Sequence, residues 1–287
     1  MDETLGTLAA VPELPEVRVH AERLTASHGG AVLARFEVLA FTALKTAGPP
    51  PQSAVGAPLT VVTSRGKFLR LAIGEIDFIV HLMQGGRLSS DAKVAPKPRG
   101  GLARWRFEDH DALLLTEAGK EHRAGVWAVL AGADAPPMEH LGPEADTVTR
   151  QELGVLLGRA TGRVHGWLRD QRQLAGIGRR LANEICWTAL ISPFAAVNRL
   201  DSDAVDRLHA AIGSCIATSI DDERTRDHMA KSAVRLAAVH HRDGEACLRC
   251  GDVIRAVEYN AYTVNYCATC QTAGKVLADN TTSKFLK

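Results

Sequence analysis

Long apolar runs are missing from this chain of 287 residues. The most continuous, such as Ala112 to Leu115 or Phe78 to Val80, fall far short of the roughly 20 residues that cross a bilayer. A transmembrane helix is thereby excluded. The profile of a signal peptide is missing too, because Met1-Asp2-Glu3-Thr4 opens acidic with neither a basic start nor a long apolar stretch behind it. A cytoplasmic protein with no membrane partner is therefore expected. Net charge is nearly absent, at +1, and so argues neither for nor against nucleic acid. There is no internal repeat and no low-complexity segment. What remains is an ordinary globular composition, 46% hydrophobic and 23% charged, on a chain long enough for two domains with cores of their own.

The charges that are present are unevenly placed. Arg163, Arg169, Arg172, Arg179 and Arg180 crowd one stretch with Asp170 as its lone acid, while acids gather at Asp201 to Asp206 and Asp221 to Glu223. Such a stretch suits a face that tracks phosphates, and equally a solvated arginine-rich helix. Val17 to Ser27 reads as a helix. From Val32 to about Trp127 short β-branched and apolar runs alternate with Gly and Pro: Ala31 to Leu39, Leu59 to Thr63, Phe68 to Ile73, Phe78 to Leu82, Leu102 to Phe107 and Ala112 to Thr116. This pattern predicts a helix-bounded β-sandwich with loops at Gly48-Pro49-Pro50-Pro51 and Ala95 to Gly101. Beyond a linker holding Ala135-Pro136-Pro137 the period becomes 3.6, predicting helices over Gln151 to Arg159, Val164 to Arg169, Arg179 to Ala189 and Asp201 to Ile216. Asp201 and Ser202 are candidate caps for the last. The break at Ala175-Gly176-Ile177-Gly178 precedes a helix whose N-terminal amides would favour an anion.

Two cysteine pairs, Cys247-x2-Cys250 and Cys267-x2-Cys270, are separated by sixteen residues whose alternation fits two hairpin strands. Pairs at this spacing converge into a tetrahedral thiolate site, so one structural zinc is expected, with no position open for a catalytic water. Two disulfides are the competing reading, disfavoured for a reducing compartment. Cys186 and Cys215 fall in helical apolar patterns and read as buried core thiols.

Pro12-Glu13-Leu14-Pro15-Glu16-Val17, taken with the cysteine cluster, resembles the formamidopyrimidine-DNA glycosylase and endonuclease VIII family, and the former more closely. The resemblance runs from Pro12 to Cys270. Arg65-Gly66-Lys67-Phe68-Leu69 is similar to the family's lysine turn and His81-Leu82-Met83-Gln84-Gly85-Gly86 to its intercalation loop. Leu141-Gly142-Pro143-Glu144 is similar to its interdomain signature. Trp167 to Gln171, Leu174 to Gly178 and Ala182-Asn183-Glu184 are similar to its helix-two-turn-helix element. Taken singly, each has a plainer reading: Pro12 and Pro15 as helix-entry prolines, Glu13 as an acid at the positive end of a helix, Lys67 as a turn residue, Met83 as core.

The resemblance implies an α+β multidomain fold: an extension at 1–11, a catalytic β-sandwich domain at 12–135, a linker at 136–150, a helix-two-turn-helix domain at 151–240, a zinc hairpin at 244–271 and a tail at 272–287. It implies a monomer that excises damaged bases from double-stranded DNA and cleaves abasic sites. Pro12 would attack C1′, Glu13 would protonate the sugar ring oxygen, and Lys67 would contact a flanking phosphate and assist β-elimination. Met83 or Gln84 would fill the hole left by the flipped nucleotide. Glu16, His81, Arg123, His165, Gly178, Arg179 and Tyr262 complete the expected DNA face, and Cys247, Cys250, Cys267 and Cys270 the metal site.

This sequence also departs from the family pattern. A proline within a chain has an acylated nitrogen, so Val11 is expected to be the true start, read from a GUG codon as methionine and then removed. Glu117 to Gly125 replaces the loop that invades the helix opposite the lesion, keeping only Arg123 and Gly125. Arg179 stands where the family usually has asparagine, and no histidine occupies Pro98 to Gly101. Tyr262 stands where an arginine is linked to phosphate binding and δ-elimination, so the expected product is that of β-elimination. Arg224 to Val239 reads as helix in place of a glycine-rich lesion loop, and Gln271 to Lys287 as a basic tail. Oxidised purines are the expected lesions. Alternatives are a pyrimidine-preferring glycosylase, a non-catalytic damaged-DNA-binding protein of the same fold, and a zinc-ribbon interaction module.

Overall fold

The computed structural model describes residues 11–118, 123–231, 234–259 and 262–277. Of the expected features, the extension before Val11, residues 119–122 of the replacement loop, and 278–287 of the tail lie outside the described residues. The chain divides into two compact units. One comprises the chain up to His140 together with Arg226–Val234, and the other comprises Leu141–Thr225 and the chain from Arg235 onward.

The first unit begins with helix α1 (Leu14–His28). Pro15 is tolerated in its first turn, where no intrahelical donor is lost, and the Glu16 carboxylate accepts the Glu13 backbone N–H at 2.7 Å, closing the helix start as a capping residue does. Two four-stranded antiparallel sheets follow. β1 (Leu33–Val38), β6 (Gly101–Phe107), β7 (Ala112–Glu117) and β5 (Gly86–Asp91) form one; β2 (Leu59–Arg65), β3 (Phe68–Ile73), β4 (Ile76–His81) and β8 (Gly125–Leu130) form the other. Their inner faces share one apolar core. Phe36, Phe78 and Trp105 meet at its centre with ring centroids 5.0 to 5.7 Å apart, so the expected β-sandwich is what forms. α1 is fastened to β2 by Thr25, whose hydroxyl donates to Val62 O at 3.0 Å and accepts from Val62 N at 2.8 Å.

The second unit holds α2 (Arg150–Arg159), α3 (Val164–Arg169), α4 (Arg179–Thr188) and α5 (Ser202–Arg224), then the hairpin β9 (Ile254–Tyr259) and β10 (Tyr262–Cys267) and the short α6 (Ala268–Thr272). Asp201 caps α5 by accepting the Ala204 N–H at 2.8 Å, as its side chain predicts.

Several expectations are corrected. β5 and β8 are strands that the periodicity reading did not mark off, and α5 runs eight residues beyond Ile216. The helix expected over Arg224 to Val239 does not continue past Arg224 among the described residues, because α5 stops there and the backbone beyond finds other partners. The Arg226 carbonyl accepts from the Arg23 guanidinium at 2.6 Å. Farther on, the N–H groups of Ala238, Val239 and His240 all donate to the carboxylate of Glu184.

Candidate functional site

In the first unit, Pro12 and Glu13 are buried at the head of α1, Glu13 at 2% exposure and Glu16 likewise. In this chain the Pro12 nitrogen is bonded to Val11. Lys67 occupies the β2–β3 turn, where Gly66 adopts a left-handed φ of 57°, a conformation that costs glycine little. Phe68 pairs with His81, and His81 with Gly125, so Lys67, His81 and the exposed Arg123 gather at one end of the second sheet. Burial first, and then the charge of Lys67, push the His81 pKa down to about 4. The ring is therefore neutral near pH 7, and its Nδ1 accepts the Met83 N–H at 3.1 Å.

That bond orders the β4–β5 turn, in which Met83 is half-buried with φ 51° and packs on the core while Gln84 is exposed. Gly86 closes it, since a Cβ there would stand 2.1 Å from Leu82 O. Arg123 is steered by its neighbour Ala124, whose N–H donates to the buried carboxylate of Glu117 at 2.7 Å. A cavity of about 720 Å³ opens along α1, with His20, Arg23, Ser27, Leu88, His110 and Met229 in its wall. Glu13, Glu16, His20, Arg23 and Ser27 recur every three or four residues and so share one helix face. Pro12, Glu13 and Lys67 do not line this cavity.

In the second unit the Gly176-Ile177-Gly178 turn is held by Gln171. Its amide donates to Arg169 O and Ile177 O at 2.8 and 2.7 Å, and its carbonyl accepts Gly176 N–H at 2.9 Å. Gly178 is the N-cap of α4 and offers no side chain to cap it. His165, expected from the sequence, stacks on Tyr262 with ring centroids 6.0 Å apart. Burial, and next the charge of Arg169, lower its pKa to about 3. The basic stretch is narrower than its composition suggests. Arg180 is buried and donates to Ser219 Oγ and Leu236 O, Arg172 pairs with Asp170, and Arg163 donates to Phe194 O. Arg169 and Arg179 are both half-exposed on that face. Sequence reasoning gave Arg169 and Tyr259 no individual role. Their signal was present in spacing, because Arg169 lies four residues after His165 on α3 and Tyr259 faces Tyr262 across the hairpin.

The four cysteines of the hairpin converge, with sulfurs all within 4.8 Å of one another. Cys250 and Cys267 approach to 3.4 Å and Cys247 and Cys270 to 3.9 Å. A tetrahedron of sulfurs at about 2.3 Å from a central ion has edges of about 3.8 Å, so the set could hold a metal ion. The indole N–H of Trp187 donates to Cys247 Sγ at 3.3 Å, the kind of outer contact that orients a thiolate. Cys186 is fully buried, as expected; Cys215 is only partly so, its thiol 3.4 Å from the Thr188 hydroxyl.

Comparison with known proteins is consistent with this arrangement. The formamidopyrimidine-DNA glycosylase N-terminal domain model matches residues 11–121. A Mycobacterium tuberculosis protein described as an uncharacterized formamidopyrimidine-DNA glycosylase-like protein is 36% identical over 162 residues, which cover 54% of this chain and 99% of that one. The formamidopyrimidine-DNA glycosylase of Edwardsiella ictaluri is 28% identical over 279 residues, covering 91% of this chain and all of its own. Among solved structures, Lactococcus lactis Fpg in complex with DNA containing an abasic site gives a TM-score of 0.80 at 21% identity, covering 91% and 99% of the two chains. MutM (Fpg) of Thermus thermophilus gives 0.78 at 24%, covering 91% and 98%. No helix among the described residues is long and apolar enough to cross a membrane.

Proposed function

Because the chain belongs to the formamidopyrimidine-DNA glycosylase family, we propose that it is a bifunctional glycosylase and abasic-site lyase acting on double-stranded DNA, with oxidised purines such as formamidopyrimidine or 8-oxoguanine as substrates. The observation that carries this reading is the placement of Pro12 and Glu13 together, buried at the head of α1. Pro12 acts as a secondary amine, which requires that the residues before it be absent from the working protein. An α-amino group has a pKa near 8 where a lysine has one above 10, so more of it is free to attack near neutral pH.

Its lone pair forms a bond to C1′ of the damaged nucleotide as the bond to the base breaks. Glu13 delivers a proton to the ring oxygen, the C1′–O bond opens, and a Schiff base to Pro12 results. Loss of a proton from C2′ then expels the 3′ phosphate. Lys67, in the turn beside His81, contacts a flanking phosphate during that step. The cavity beginning at His20, one turn beyond Glu16 on the same face of α1, has room for an extruded base. Gln84, exposed at the tip of its turn, and Met83 beside it fill the gap in the duplex, while Glu16, Arg123, His165, Gly178 and Arg179 contact the DNA and the Tyr262 ring supports that face from the hairpin without a phosphate contact of its own. Cys247, Cys250, Cys267 and Cys270 would hold zinc, which supplies the hairpin with its fold and takes no part in bond breaking. We further assign the protein to the bacterial cytoplasm, as a monomer on DNA.

Base release from duplexes carrying formamidopyrimidine, 8-oxoguanine or an oxidised pyrimidine, by protein beginning at Pro12, tests this reading. Release of the purine lesions supports it. Binding to these duplexes with no release of any base favours the non-catalytic alternative instead.

A further inference from the structure

Tyr262 is not an isolated substitution, for it lies in a stack. The guanidinium of Arg169, the last residue of α3, sits 4.0 Å from the centre of the Tyr262 ring. Tyr259 stacks on the same ring at 4.8 Å and 14°, and His165 lies nearly parallel to it at 6.0 Å. We propose that Arg169, carried on Tyr262, is a phosphodiester-binding residue of this protein, and that Tyr262 is the residue that positions it. The proposal rests on the DNA-processing reading above and gives an individual role to a residue that the sequence named only as one of five clustered arginines.

Three observations support it. First, the charge of Arg169 is not neutralised. The adjacent acid, Asp170, is taken by both arms of Arg172 at 3.1 Å, and no carboxylate pairs with Arg169 among the described residues. A guanidinium over an aromatic face keeps its edge N–H groups available in a planar fork suited to two phosphate oxygens.

Second, the histidine in the stack adds no charge. His165 stays neutral under burial and the field of Arg169. Arg179, whose backbone approaches His165 from the start of α4, contributes a second cation to the same face. Third, the ring is held from outside α3. Tyr259 and Tyr262 pair directly across the hairpin, so strand register fixes the surface on which the guanidinium rests. The cation that position 262 itself lacks is thus brought to its ring by a different element.

The test is the salt dependence of binding to a duplex with an abasic-site analogue, using the zinc-loaded full chain and its Arg169→Ala, Arg169→Lys and Tyr262→Phe variants. Arg169→Ala is expected to lower affinity about tenfold at moderate salt and to reduce the slope of log K against log salt by about one, since one phosphate contact is lost. Arg169→Lys should retain the slope, and Tyr262→Phe should retain both slope and affinity, because it keeps the ring. A parental slope in Arg169→Ala would overturn the proposal. A Tyr262→Phe variant as weak as Arg169→Ala would also overturn it, by assigning the contact to the hydroxyl. If the parent binds and Arg169→Ala is indistinguishable from it, the proposal fails alone; a parent with no affinity for abasic DNA takes the glycosylase reading down with it.

Discussion

At the scale of single residues, the account divides proton transfer from nucleophilic attack. In the proposed mechanism Glu13 protonates a ring oxygen, a step that matters when the sugar is closed and the base still attached. An abasic sugar already opens to an aldehyde in water, so its attack by Pro12 depends far less on that proton. Glu13→Gln, in protein beginning at Pro12, should therefore lower base release by roughly 10²- to 10⁴-fold while nicking of pre-formed abasic sites falls much less. Single-turnover assays on the two substrates measure the ratio, and equal losses on both would count against the assigned role. Legibility also varied residue by residue. The convergence of the four cysteines was readable because their spacing is local to a short motif, and the motif that singles out Pro12 and Glu13 for the proposed chemistry is as local. Arg180 was not: composition counts it as a surface cation, whereas Ser219 and Leu236 draw it inward, from positions 39 and 56 residues away.

At the scale of elements, periodicity gave α2 to α4 to within a residue at each end because each has an apolar stripe and a clear break at its ends, while α1 begins three residues before the expected Val17. The stretch after α5 defeated it. Arg224 to Val239 has helical composition, yet at its far end the N–H groups of Ala238 and Val239, with that of His240 beyond, are drawn to Glu184, a buried carboxylate on a distant helix, and no local pattern records that competition. β5 was hidden in a similar way, since its Gly86 serves the preceding turn. The hairpin is the element most dependent on something outside the chain. One small apolar cluster holds Val239, Cys247, Ile254 and Cys267, with Trp187 and Cys270 packed against it, and a second holds Val257, Tyr266 and Ala268; the proposed zinc supplies the remaining free energy that orders the two strands. Chelation should therefore open it. The emission of Trp187, whose indole donates to Cys247, should change at the same chelator concentration at which affinity for abasic DNA is lost. Binding that survives complete removal of metal would contradict a structural role for the ion.

At the scale of the whole molecule, both units bury histidines in their neutral form. Burial lowers the pKa of His20 and His81 to about 4 in the first unit, and of His165 to about 3 and His240 to about 2 in the second. An unfolded chain takes up these protons at about 6.5. Below that pH the unfolded state binds more protons than the folded one, so the stabilisation present above pH 6.5 is lost as pH falls toward the folded values, by about 1 kcal/mol per pH unit for each histidine. Urea midpoints for both units should drop between pH 7.5 and pH 5.5, and a midpoint constant across that range would refute the burial argument. The fold itself was legible at this scale, as sandwich, helices and hairpin in order. The return of Arg226–Val234 to the first unit was not, because it depends on contacts such as Arg23 with Arg226, 203 residues apart.

The central claim is that the imino nitrogen of Pro12, once unacylated, forms the covalent bond to deoxyribose. Borohydride reduction during incubation with abasic-site duplex, followed by mass mapping of the adduct, tests it directly. Protein beginning at Pro12 should be captured in high yield with the added mass on the peptide that starts at Pro12, and the chain in which Val11 still precedes it should not. Absence of any adduct with the shortened protein, or an adduct on Lys67, would contradict the account.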